Sequence, residues 1–146
     1  MAAGLAALAI EHRQSLDAQH KLSQAVEQSS NAILITDSDI QIEYANASYL
    51  QNTGRRLQDI IGSRPSILSS GKTPPATYQE MWDQLRKGES WKGELINRYT
   101  DGTEHVDLTH ISPIRDAKGH VTHFLAIQED ITDKKRNDER IRYLAH

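Results

Sequence analysis

The chain of 146 residues contains no cysteine. Without a thiol it can form no disulfide, thiolate nucleophile, cysteine-ligated zinc site or iron–sulfur cluster. An excess of basic residues is missing too, since 17 Lys and Arg stand against 20 Asp and Glu. A nucleic-acid-binding face needs a basic excess, so the composition argues against a nucleic-acid partner. The length predicts one domain.

Long hydrophobic runs are also missing. Residues 1–10 are apolar and rich in alanine, but Glu11, His12 and Arg13 follow at once. A bilayer span takes about 20 apolar residues, and a signal peptide begins with basic residues. We therefore expect no membrane insertion and a cytoplasmic location.

Apolar residues make up 37% of the chain, which is little for a domain of this length. The composition predicts exposed helix that buries its apolar stripe only against a partner. Residues 2–28 lack proline and place Leu5, Leu8, Leu22 and Val26 at heptad positions. Two alternatives stay open: an arm that pairs with a second copy into a homodimer, and a helix folded onto its own domain.

Hydrophobic periods and turn residues predict an α+β fold, with a five-stranded antiparallel sheet, helices on one face, and helical arms at both ends. The predicted units are an N-terminal helix over 1–28, a globular domain over 29–132 and a C-terminal linker helix over 133–146. Within the globular domain the order is two strands (32–37 and 40–44), two short helices (46–54 and 57–62), an irregular loop (63–75), a helix (76–87), and three strands (91–99, 104–113 and 121–132).

No motif of the chain predicts catalysis. Residues 69–73 end like a phosphate-binding loop, but Ser66 stands where that loop needs glycine, and Pro74 and Pro75 stand where a helix must begin. The seven histidines contain no pair at i, i+4 spacing, and no serine lies on a nucleophile elbow. We expect neither an active site nor a metal site.

Three strands predicted to be neighbours each carry a polar residue: Asn97, Asp107 and Gln128. If all three face inward, they form a polar row over an apolar cavity, which suits a flat heteroaromatic ligand with an edge of carbonyl and imide groups. In the alternative, Val106 and Leu108 face the core, while Asn97 and Asp107 face solvent. Periodicity alone favours this alternative.

Residues 24–135 resemble the PAS domains of bacterial sensors. The resemblance is carried by Tyr44-Ala45-Asn46, Thr53-Gly54, Ile61-Gly62, Trp91-Lys92-Gly93-Glu94, the run 97–102, Ile111-Ser112-Pro113-Ile114, Gly119 and Asp130-Ile131-Thr132. It implies that the outer face of the sheet is apolar and covered by the flanking helices. Val106 and Leu108 would then point outward, and Asp107 would face the pocket.

Within that family, the segments 66–74, 78–82 and 91–97 resemble the flavin-binding redox sensors of the nitrogen-fixation regulator type. This resemblance implies that Trp82 and Asn97 contact FAD. The related LOV domains place pocket amides at the positions of Asn97, Asp107 and Gln128, and their photoreactive cysteine at Pro65. An acidic residue that the nitrogen-fixation group carries near the ring also falls at Pro65.

Together these patterns predict a sensory domain that binds FAD non-covalently, with Gln128, Asn97 and Asp107 at the ring edge and Trp82 beside the ring. A cofactor-free dimerisation module and an apolar small-molecule sensor are the alternatives. Haem is not expected, because the helix over 76–87 has no histidine. The tail, residues 140–146, resembles the joint to a GGDEF diguanylate cyclase domain, which implies an effector outside this chain.

Overall fold

The computed structural model describes residues 2–145, with side-chain environments for residues 4–140. The first half contains α1 (Ala2–Glu27), β1 (Ala32–Asp37), β2 (Ile42–Ala45), α2 (Ala47–Thr53), α3 (Leu57–Ile60), a 3₁₀ turn (Pro65–Leu68) and α4 (Pro75–Arg86). The second half contains β3 (Trp91–Arg98), β4 (Glu104–Arg115), β5 (Val121–Asp130) and α5 (Thr132–Ala145).

The five strands form one antiparallel sheet in the order β2-β1-β5-β4-β3. The predicted α+β fold is therefore confirmed. The expectation that residues 63–75 lack regular structure is wrong in part. Pro65 begins a 3₁₀ turn, since its fixed φ suits a first helical position, and Ser69 bridges to Asn97 on β3.

Asn46 joins three elements at the start of the domain. Its side-chain oxygen accepts hydrogen bonds from the backbone N–H of Ile33 at 2.9 Å and of Tyr49 at 3.1 Å. Its amide nitrogen donates to the carbonyls of Val26 at 2.8 Å and Asn31 at 3.0 Å. The predicted cap of α2 is thus confirmed, and the same side chain ties the end of α1 to the sheet.

Most of the buried apolar residues fall into two clusters on the inner face of the sheet. One contains Ala32, Leu34, Ile42, Ala45, Tyr49, Ile60, Leu68 and Ala126. The other contains Met81, Leu85, Trp91, Leu95 and Phe124, and α4 supplies its cover. Residues of both clusters line the cavity described below, so the core is divided around a space large enough for a small molecule.

The exposure of successive residues shows which side chains of β4 face the core. Asp107 is 1% exposed and inward, whereas Val106 and Leu108 lie on the opposite face and are half-buried. The interpretation that Asp107 faces solvent is therefore wrong. Periodicity could not show this, because both faces of β4 carry apolar residues.

Helix α1 extends away from the sheet. Its residues from Gly4 to Ala25 are all exposed, and Leu5 and Leu22 are 71% and 69% exposed. The alternative in which this helix folds onto its own domain is therefore wrong. The expectation that α1 covers the outer face of the sheet is wrong as well. At the other end, α5 contacts β4, and Lys135 forms an ion pair with Glu94. No helix among residues 2–145 is long and apolar enough to cross a bilayer.

Candidate functional site

A cavity of about 320 Å³ lies between the inner face of the sheet, α4 and the segment around the 3₁₀ turn. Small-molecule sites begin at about this volume and have mostly apolar walls with a few polar groups. The walls consist of Leu34, Thr36, Ile40, Arg64, Pro65, Ser66, Ser69, Tyr78, Met81, Trp82, Leu85, Leu95, Asn97, Thr109, Ile111, Phe124, Ala126 and Gln128.

Three polar side chains line the cavity from this inner face: Asn97 on β3, Thr109 on β4 and Gln128 on β5. Asn97 is offset along the sheet, because its register partner is His105, four residues from Thr109. Thr109 and Gln128 are register partners, and all three residues are buried. Amides donate and accept hydrogen bonds, and the Thr109 hydroxyl, which donates to the Asp107 carbonyl at 3.2 Å, can accept one. This polar row can therefore bind a ligand edge that alternates carbonyl and N–H groups. The sequence predicted Asn97 and Gln128 but missed Thr109, two residues from Asp107 on the same face.

Asp107 lies on the same inner face, between Asn97 and Thr109 along the β3/β4 pair, but it is not part of the cavity wall. Its carboxylate accepts hydrogen bonds from the Asn97 amide nitrogen and the Tyr99 hydroxyl, each at 2.8 Å. A carboxylate only accepts, so this contact fixes the orientation of the Asn97 amide, whose oxygen is not used in the contact. The structure thus places this predicted ring-edge residue outside the cavity wall, where it positions the amide of Asn97.

Burial governs the ionisation of this group. Loss of solvent raises the pKa of Asp107 above its ordinary value, while the hydrogen bonds from Asn97 and Tyr99 lower it and offset part of the effect. Burial and the neighbouring Asp107 also raise the pKa of the Tyr99 hydroxyl. The Tyr99 hydroxyl is therefore protonated at neutral pH, as its donation to Asp107 requires.

Trp82, on α4, lies where the cavity meets an open cleft of about 550 Å³. The residues that line both spaces are Ile40, Arg64, Trp82, Leu85 and Phe124. We call this set the neck. Arg86 lines the cleft only, together with the acidic Asp39. The walls of the buried space are mostly apolar, and Arg64 lies at its exit. Pro65 lines the cavity itself.

A second polar cluster connects β4 and β5 to the start of α5. The imidazole Nδ1 of His105 lies 2.6 Å from a carboxylate oxygen of Asp130. The other oxygen accepts hydrogen bonds from the backbone N–H, at 3.0 Å, and the hydroxyl of Thr132. The backbone N–H of Val106 donates to that hydroxyl at 2.9 Å. Asp130 thereby ties the first turn of α5 to the sheet.

The sequence missed this cluster, although the strand register could have indicated it. His105 is the register partner of Asn97 across the turn at residues 100–103, and Asp130 is the register partner of Asp107. Burial raises the pKa of Asp130, but the hydrogen bonds from Thr132 and His105 outweigh it and hold that pKa below its ordinary value. Among residues with described surroundings, no group of three or more His, Cys, Asp or Glu could hold a metal ion.

Known proteins agree with this architecture. A family model described as "PAS domain" matches residues 30–133. A nitrogen fixation regulatory protein of Klebsiella pneumoniae is 38% identical over 117 residues, which cover 80% of this chain and 24% of that protein. The aerotaxis receptor of Escherichia coli (strain K12) is 29% identical over 105 residues, which cover 70% of this chain and 20% of the receptor. The chain thus spans about a quarter or less of the length of these relatives.

Solved structures show the same fold. An RNA-binding light-oxygen-voltage receptor superposes with a TM-score of 0.79 at 25% identity, covering 87% of this chain and 37% of its own. A structure from work on a flavin analogue and the light-oxygen-voltage domain mechanism has a TM-score of 0.72 at 24% identity, covering 86% of this chain and 96% of its own. On the match over residues 30–133, the chain belongs to the PAS domain family.

Proposed function

We propose that this PAS domain binds FAD non-covalently and acts as a redox sensor. The observation that carries the proposal is the polar row of Asn97, Thr109 and Gln128 on the sheet side of a mostly apolar cavity. The kinship with a nitrogen fixation regulatory protein and with an aerotaxis receptor supports a sensory role.

The residues present fit a flavin. Its ring system has flat apolar faces and one edge that alternates carbonyl and N–H groups, which matches amides and a hydroxyl set among apolar walls. Asn97, Thr109 and Gln128 would hold that edge, and Trp82 would lie beside the ring. The anionic part of the molecule would extend past Arg64 in the neck into the open cleft, which Arg86 and the acidic Asp39 both line. When bound, the flavin supplies reversible uptake of electrons together with a proton.

Gln128 can transmit a change at the ring, because its amide both donates and accepts. Within the described residues its side chain makes no hydrogen bond to protein, although it is only 8% exposed. A ligand atom that gains a proton would reverse the preferred orientation of this amide. Gln128 lies two residues before Asp130, so the reorientation occurs next to the residue that holds α5. A bias of a few kcal/mol between two arrangements of that helix is enough to switch an output.

The absence of cysteine limits how such a sensor can work. Pro65 lines the cavity at the position that the LOV resemblance assigns to the photoreactive cysteine. No thiol adduct can form with a bound flavin, so electron transfer is the signal that we propose.

Flavin binding is tested by titrating FAD with the purified domain and following the quenching of flavin fluorescence. We expect saturable binding by the wild type and at least tenfold weaker binding by Asn97→Ala, because a buried hydrogen bond to the ring edge is lost. The matched control is Asn52→Ala, which removes an exposed amide of α2. Unquenched fluorescence with the wild type, or equal affinity in the two variants, would contradict the proposed site.

A second proposal concerns assembly, and the exposure of α1 favours it. The side chains of Leu5, Leu8 and Leu22 are 71%, 64% and 69% exposed. A second copy of the same helix would bury the heptad seam that these residues and Val26 define. We propose a cytoplasmic homodimer joined through α1, with α5 leading to an effector. A diguanylate cyclase is the candidate that residues 140–146 suggest. A homodimer without cofactor is the competing function, and it predicts a colourless protein.

A further inference from the structure

Ile40 has an unfavourable backbone conformation. Its φ is 64°, and it is the only residue other than glycine with a positive φ among those the structure describes. In this region the Cβ atom crowds the backbone, and a β-branched side chain is the least suited to it. The other positive φ angles of the described chain belong to glycines.

The hairpin turn between β1 and β2 imposes this conformation. The backbone N–H of Ile40 donates to the Asp37 carbonyl at 3.1 Å, and the N–H of Asp37 donates to the Gln41 carbonyl at 3.0 Å. The Asp37 carboxylate accepts from the N–H groups of Asp39 and Gln41, each at 2.9 Å. Such turns place a left-handed residue last, normally glycine or asparagine. The turn alone therefore favours a different residue at position 40.

The side chain of Ile40 explains its presence. It is half-buried, packs against the cluster that contains Leu85 and Phe124, and lines both the buried cavity and the open cleft. Ile40 thus belongs to the neck, through which a ligand larger than the cavity has to pass. Its apolar contacts at the neck offset the cost of the backbone conformation, as expected where strain is retained at a functional position.

We propose that Ile40 is a specificity-determining residue that narrows the neck and retains the ligand. The class of ligand it selects is a flat heteroaromatic ring with a slim, flexible extension, because the ring fills the cavity while only the extension occupies the neck. A narrower exit lowers the rate at which the ring leaves the cavity. The contacts between the ring and the cavity wall do not have to change. The identity of the ligand rests on the proposed function. The observations on the neck and on the turn are independent of that function.

The experiment compares three variants. Ile40→Ala shortens the side chain and keeps the left-handed strain, whereas Ile40→Gly removes the side chain and the strain. Ile61→Ala is the control, since Ile61 is 48% exposed and lines neither the cavity nor the cleft. FAD release is followed by stopped-flow fluorescence after dilution. We expect release about tenfold faster in both Ile40 variants and unchanged in the control. Release at the wild-type rate from Ile40→Ala would overturn the proposal.

Urea denaturation distinguishes the effect of losing the Ile40 side chain from the effect of relieving the backbone strain. The urea midpoint of ligand-free Ile40→Gly should exceed that of Ile40→Ala, because glycine relieves the left-handed strain. Equal midpoints would contradict the strain. If the wild type binds no FAD, the proposed cofactor fails, and the neck is tested with the neutral flat dye Nile red. Faster dye uptake by Ile40→Ala than by the wild type supports the proposal, and equal rates overturn it.

Discussion

The ring of Tyr99 lies flat on the imidazole of His105, with 3.8 Å between the ring centroids and 11° between their planes. The Tyr99 hydroxyl donates to Asp107, which holds the cavity amide of Asn97. His105 contacts Asp130 at the start of α5. The stacked rings therefore join two hydrogen-bonded groups, one at the cavity and one at the C-terminal helix. We propose this continuous contact as a second route for the signal besides Gln128.

The first prediction concerns the Tyr99 hydroxyl. Tyr99→Phe keeps the stacked ring but removes a donor from the buried Asp107 carboxylate. We expect the free energy of unfolding to fall by about 1–3 kcal/mol, the cost of a buried acceptor that loses its partner. Urea denaturation measures this difference.

Tyr44→Phe is the matched control, because the Tyr44 hydroxyl also donates to a carboxylate, that of Glu27, but at an exposed position. Its loss should cost less than about 1 kcal/mol. Equal losses in the two variants would show that the contact between Tyr99 and Asp107 has no special role.

The second prediction is a pH dependence set by Asp107. Its folded-state pKa is raised above the unfolded value of about 3.9. The wild type therefore loses free energy of unfolding as the pH rises from about 4 through the folded-state pKa. Asp107→Asn does not ionise and should be at least as stable as the wild type at neutral pH, with the difference disappearing towards about pH 3. Urea midpoints across this range measure it, and a difference that grows as the pH falls would contradict it.

The third prediction concerns Asp130, whose effect on the free energy of unfolding changes with pH in the opposite direction. Its folded-state pKa is lowered by hydrogen bonds from Thr132 and His105, so its contribution is present above the unfolded pKa of about 3.9 and is lost as the pH falls through the folded value. Asp130→Asn should reduce the free energy of unfolding by about 1 kcal/mol at neutral pH. At the lowest pH the free energies of unfolding of Asp130→Asn and of the wild type should be equal.

The control for Asp130 is Asp133→Asn, in the first turn of α5, where the side chain is 96% exposed. It should change stability by a few tenths of a kcal/mol at most. Amide hydrogen exchange in α5 provides a local readout. Faster exchange in Asp130→Asn than in Asp133→Asn supports the tie, and equal exchange contradicts it.

The fourth prediction addresses the dimer. Leu22→Lys places a charge in the proposed seam of α1 and should weaken dimerisation at least tenfold in sedimentation equilibrium, since a buried lysine is costly to desolvate. Gln24→Lys adds the same charge two residues along, at an exposed heptad position that faces away from the seam, and should leave the dimer intact. Equal dissociation constants for the two variants would rule out pairing through this helix.

Local signals were enough to predict most of the fold from the sequence. The Asn46 cap, the left-handed Gly54 and the turn around Gly102 each fix an element boundary through short-range chemistry. The inward direction of Asp107 was not available from periodicity, because Val106 and Leu108 make the outer face apolar as well. The resemblance to PAS domains supplied that direction.

Features that depend on packing between distant segments were not predicted. The contact between His105 and Asp130 joins residues 25 positions apart, on adjacent strands. The left-handed Ile40 violates the residue preference of its own turn, so no local rule indicates it. The volume of the cavity depends on how two separate clusters pack, which composition does not determine.

The central claim is most directly tested by the visible absorption spectrum of the purified domain, recorded after incubation with FAD and removal of the unbound excess. The account predicts bands at about 370 and 450 nm that bleach on anaerobic reduction and return with air. A spectrum without these bands, from protein that is folded by circular dichroism, would contradict it.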